Sequence, residues 1–180
     1  MSTHTNHKKP NTVNKNMALR VTAIGVGVAL ALVLSYVETL LPLSVAIPGV
    51  KLGLGNIVTI FMLFRLGWKD AIFVSVVRVA LASLLFGNAV GAAYSVAGAL
   101  LSLTGMILVS KTKKLSPVGI SVTGGVLHNI GQIVMAILIT DTTQIAAWLP
   151  ALIISGVIAG IAVGAVGAIL IKTISFRGFG

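Results

Sequence analysis

Residues 146–171 read AAWLPALIISGVIAGIAVGAVGAILI, 26 positions without one charged side chain. At 1.5 Å per residue such a helix is about 39 Å long, more than the roughly 30 Å hydrocarbon core of a bilayer. Five more apolar segments precede it, at 17–37, 52–66, 71–86, 90–109 and 118–139. The two at 90–109 and 118–139 are long enough to cross a bilayer. Those at 52–66 and 71–86 rise only about 22–24 Å, a length tolerated where a fold shields the helix ends or lines a cavity. The first segment is too long for the apolar region of a signal peptide and lacks a clear small-x-small cleavage site, so it reads as a first span.

Composition agrees. The chain has 180 residues, 57% of them hydrophobic and 9% charged, with a mean hydropathy of +1.08. A soluble domain carries about 25% charged residues, so a soluble enzyme does not fit. Thirteen Lys and Arg against three Asp and Glu give a formal charge of +10. These cations fall in short clusters between apolar runs, which is a membrane pattern and not a nucleic-acid-binding one. There is no cysteine, hence no disulfide or thiolate metal site.

The expected fold is therefore all-α, an integral membrane bundle of six transmembrane helices with both termini cytoplasmic. A polar tail at 1–16, a membrane domain at 17–172 and a short tail at 173–180 complete it. This orientation puts Lys8, Lys9, Lys15, Arg20, Arg65, Lys69, Lys111, Lys113, Lys114, Lys172 and Arg177 on the inner side, leaving Lys51 and Arg78 as exceptions. Trp68 and Trp148 fall at span ends, where interfacial aromatics belong. The segment 39–50, TLLPLSVAIPGV, is an apolar outer loop that either folds back over the protein or enters the interface.

Enzyme signatures are missing. Magnesium–diphosphate chemistry needs clustered carboxylates to hold the metal, and no two of the three acids lie within four positions of each other. There is no phosphate-binding Gly–Lys–Ser/Thr loop, and His4, His7 and His128 build no metal cage. No catalytic residue, metal or cofactor is expected. Polar residues inside the spans stand out instead: Asn56, Arg78, His128, Asn129 and Gln132. Ionisable groups at membrane depth are costly and point to function. Counted from the outer helix ends, Asn56, Arg78 and Gln132 all lie roughly 8–12 Å deep, and His128 sits one turn below Gln132. With Lys51 above them, these six residues form a candidate ligand site. In that site Lys51 and Arg78 attract an anion while the amides and His128 orient it. The alternative is structural, with Arg78 knitting helices together and His128, Asn129 and Gln132 bonding between them. Small residues mark packing faces: Gly156, Gly160 and Gly164 on the sixth span, and Ala23, Gly27 and Ala31 on the first, which suit either internal packing or a partner's helix.

The stretch IPGVKLGLGNIVTIFMLFRLGWKDAIFVSVVRVALASLLFG at 47–87, YSVAGALLSLTGM at 94–106 and GISVTGGVLHNIGQIVMA at 119–136 resemble the heptaprenyl diphosphate synthase component I family, also called the Gx transporter family. That family is similar in turn to the substrate-binding S components of energy-coupling factor (ECF) transporters. The resemblance implies a six-helix bundle in the bacterial cytoplasmic membrane that binds a vitamin or cofactor-like molecule from outside. Flavins and isoprenoid- or quinone-related compounds are the substrate classes it suggests. It also implies a transmembrane coupling protein and two cytoplasmic ATPases as partners, with Ala23, Gly27 and Ala31 receiving the coupling protein. The synthase description offers another role, a non-catalytic membrane companion of a prenyl diphosphate synthase.

Overall fold

The computed structural model describes residues 12–40, 53–87 and 89–174. They form six α-helices and no strand: α1 (Thr12–Leu40), α2 (Asn56–Arg65), α3 (Trp68–Phe86), α4 (Ala89–Lys111), α5 (Pro117–Thr140) and α6 (Leu149–Thr173). A 3-10 helix, Thr143–Trp148, leads into α6. The all-helical expectation holds, with a refinement of the spans. Four helical stretches, Asn16–Leu40, Ala89–Lys111, Pro117–Thr140 and Thr143–Thr173, are long and apolar enough to cross a membrane. Helix α3 has 19 residues but carries Lys69, Asp70 and Arg78. Helix α2 has 10 residues and rises about 15 Å, half a hydrocarbon core. It is the short apolar helix of the bundle, a length that suits an element whose ends the fold shields. Helix α1 begins at Thr12, inside the stretch read as a tail, and runs to Leu40, past the expected end of the first span. The rest of the apolar loop, 41–50, and Lys51 lie outside the described residues.

Local chemistry explains the helix ends. Ser116 caps α5, its Oγ accepting the Gly119 N–H at 3.3 Å, and Pro117 opens the helix where no N–H is needed. Asp141 closes α5 in the left-handed conformation (φ 50°). Gly67 has φ 105° and makes the sharp turn between α2 and α3, a conformation that a side chain would strain.

Each helix packs on the next along α3, α4, α5 and α6. Helix α1 packs on α2 and α3, while α2 touches α1, α3, α5 and α6 and so occupies the middle. Its residues from Ile57 to Leu63 are all buried. Apolar surface meets lipid as readily as it meets protein, so close backbone approach must carry the packing. Along the α5–α6 seam a Cβ on Gly160 would stand 2.6 Å from Val122 Cα, and one on Gly164 2.7 Å from Val118 Cα. One on Gly156 would stand 2.9 Å from Gly125 O. The glycine stripe on the last helix therefore serves packing within the chain.

The stripe on α1 does likewise. Ala23, Gly27 and Ala31 are buried, and Met62 and Val58 of α2 press against the Gly27 position. At Gly27, then, the chain's own second helix lies against the stripe expected to receive a partner's helix.

One end of the bundle gathers the cations. Arg20 reaches across from α1 to clasp Asp70 at the start of α3 with both arms, Nε to Oδ2 and Nη2 to Oδ1, each 2.9 Å. Arg65, at the end of α2, donates to the carbonyl of Ile171 in the last turn of α6, where unpaired carbonyls favour a cation.

Candidate functional site

Helix α3 carries Arg78 in its second half, pointing toward α1 and α2. It is 8% exposed. Its Nη2 donates to Asn56 Oδ1 at 3.1 Å and its Nη1 to Ser35 Oγ at 3.3 Å. Ser35 in turn donates to Ala31 O within α1 at 2.9 Å. The guanidinium needs room, and Gly55 supplies it: a Cβ there would run into Arg78 Nη1 and lie 2.8 Å from Ser35 Oγ. This explains a glycine immediately before α2. Glu38, one turn beyond Ser35 on α1, lies within coulombic range of Arg78. It also accepts the Gly53 N–H at 2.6 Å, so one carboxylate serves both the cation and the backbone leading into α2. Among the described residues Arg78 Nε has no hydrogen-bond partner.

Arg78 and Asn56, placed at one depth by sequence, are thus in direct contact. The sequence reading missed Ser35 and Glu38. The expected first span stops at Val37, one residue short of Glu38, whereas α1 runs on to Leu40 and brings Glu38 within coulombic range of Arg78. A serine one turn before the sole acid of α1 was the available signal.

The other expected residues divide. Asn129 of α5 is 2% exposed and spends its amide on α6, donating to Leu152 O at 2.6 Å and to Ser155 Oγ at 3.3 Å. That is the interhelical role weighed against a ligand role. His128 packs against α4, where a Cβ on Gly98 would come within 2.8 Å of its Cε1. Gln132 is buried, and its Oε1 has no partner among the described residues. A cavity of about 20 Å³ lies between α2, α4, α5 and α6, with Asn56, Ser121, His128 and Asn129 among its lining residues. It has room for about one water. Neither Arg78 nor Gln132 lines it. Asn56 is therefore the joint between two polar groups, the Arg78 cluster on one side and the cavity on the other. Among the described residues no three His, Asp or Glu groups come together as metal ligands.

Helices that cross a membrane, a half-length central helix and a buried cationic cluster beside it define a multi-pass membrane protein. A family model described as heptaprenyl diphosphate synthase component I matches residues 28–170, and the chain belongs to that family. The match takes in all six helices apart from the first part of α1 and the last residues of α6. No curated protein and no solved structure gives a match.

Proposed function

We propose that this chain is a non-catalytic, membrane-embedded subunit serving a prenyl diphosphate synthase whose catalytic carboxylates sit on another polypeptide. The engagement of its own acids carries this reading. Asp70 is held by Arg20 and Glu38 by the Gly53 amide, while Asp141 stands apart at the end of α5. Three carboxylates so dispersed offer no joint grip on a magnesium–diphosphate group. The family description names a synthase component, and a lengthening prenyl chain is apolar, so a membrane partner gives the product a place to go. The test is to purify the tagged chain from its host membranes in mild detergent and assay the eluate for chain elongation from farnesyl and isopentenyl diphosphates. Activity that follows the tag, and is carried by a separate soluble polypeptide, supports the reading. A homogeneous eluate without activity, together with unchanged cellular prenyltransferase activity on deletion, refutes it.

A second reading has its own observation. Among the described residues Arg78 keeps a buried Nε without a partner, and Asn56 links it to a small cavity that Ser121, His128 and Asn129 also line. Both suit a small-molecule-binding subunit of an ATP-driven importer resembling ECF S components, its termini cytoplasmic and its ligand entering from outside. Lys51, Asn56, Arg78, His128, Asn129 and Gln132 remain its candidate contacts. A cavity of about 20 Å³ must then widen, because ligand pockets run to about 300–1,000 Å³. Mass spectrometry of co-purified small molecules tests this. Arg78→Ala lowers affinity in a still-monodisperse protein if the reading holds, and leaves affinity unchanged if Arg78 is structural.

A further inference from the structure

The cationic end of the bundle carries a feature that neither reading uses. Trp68 opens α3 and is 48% exposed. Lys69 Nζ lies 5.5 Å from the centroid of its ring and Lys111 Nζ, from the end of α4, lies 5.9 Å from it. Two ammonium groups from different helices thus flank one indole. Lys113 and Lys114 follow in the exposed turn before α5. Each cation gains from the ring, but two like charges drawn to one ring repel each other and call for an anion. Among the described residues none is left to serve: Asp70, the acid at this end, is already clasped by Arg20. The location narrows the choice of anion. Lys111 ends a helix long enough to cross a bilayer and Pro117 soon begins another, so the site lies where indole rings settle at headgroup level and basic clusters attract anionic lipid.

We propose that Trp68, Lys69 and Lys111 form a binding site for the phosphate headgroup of an anionic phospholipid. The lysines pair with the phosphate, and the indole holds the glycerol–acyl boundary at its edge. The inference stands apart from the synthase and importer readings, since either protein would carry the site.

Trp148→Phe makes Trp68 the only tryptophan, the chain having two. This variant, full length in mixed micelles, is titrated with brominated phosphatidylglycerol or brominated phosphatidylcholine while Trp68 fluorescence is followed. The expected result is quenching by the anionic lipid at a clearly lower mole fraction, the preference falling about fivefold for each of Lys69→Gln and Lys111→Gln. It should also shrink in high salt. Lys113→Gln with Lys114→Gln should cost less than the flanking pair. Equal quenching by both lipids in the parent variant overturns the proposal without any lysine substitution. A loss from the Lys113 and Lys114 changes as large as from the flanking pair also overturns it, since the charge is then diffuse. So does unaltered lipid preference coupled with loss of an acidic protein partner, which would make this face a protein-docking surface.

Discussion

Gly160→Ala and Gly25→Ala add the same methyl group to the same chain and should have opposite effects. At Gly160 the new carbon meets Val122 Cα at 2.6 Å and Ser121 O and Val122 N at 3.0 Å. All three are backbone atoms, so no rotamer change relieves the clash. Carbon–carbon contacts settle near 3.5–4.0 Å, so α5 and α6 must part locally by about 1 Å. Overpacking of this kind costs about 1–3 kcal/mol, against a helix-propensity gain of up to about 1 kcal/mol. The seam also carries the Asn129–Leu152 bond and the Gly125–Gly156 contact, which separation weakens, so a net loss of about 2 kcal/mol is expected. For a chain of this size that is a fall of about 4–8 °C in the unfolding midpoint. At Gly25 nothing lies within 4 Å of the added carbon, and the propensity gain leaves stability unchanged or slightly higher. Differential scanning fluorimetry of both variants in one detergent measures the contrast. Midpoints within 1 °C of each other would show that the α5–α6 seam is not set by backbone contact.

Further outcomes follow from the polar groups. Thr59 is buried in α2 with no partner for its Oγ1 among the described residues, so Thr59→Val should raise stability by about 1 kcal/mol by removing a desolvated hydroxyl; thermal unfolding checks it. Asn129→Ala should lower stability by about 1–2 kcal/mol, one membrane hydrogen bond plus a small void, without changing any ligand affinity if its role is the α6 bond. Arg20→Gln should destabilise the bundle because Asp70 is left buried and unpaired, and Arg20→Gln with Asp70→Asn should cost less than the two singles summed, as a double-mutant cycle reads directly.

Hydropathy made the long helices legible because each buries its polar backbone within itself and turns apolar side chains outward in every direction. It failed at the ends for stated reasons. Helix α3 begins at Trp68 and not at Ala71, because Arg20 neutralises Asp70 across the helix pair. Helix α1 continues past Val37, because Glu38 finds an amide and a guanidinium to face. Helix α2 starts only at Asn56, because Gly53, with φ 67°, turns the backbone before it. Arg78 and Asn56 were visible as candidates since polar groups at such depth are conspicuous; that they touch each other required the fold. Ser35 was not visible, since a serine inside an apolar run carries no mark of its partner. The small-residue stripe on α1 was legible as a packing face, but spacing alone does not say which helix fills it.

The half-length of α2 has a consequence for how the chain is made. Ten residues are too few to partition into lipid unaided as the nascent chain emerges, and the segment's partners include α6, which is made more than 80 residues later. Ile60 fits the Gly167 position and Arg65 closes the α6 terminus, so the centre cannot settle until α6 has been made. Until then Arg78 and Glu38 lack their finished surroundings, and truncation after α5 should yield a chain that quality-control proteases clear from the membrane.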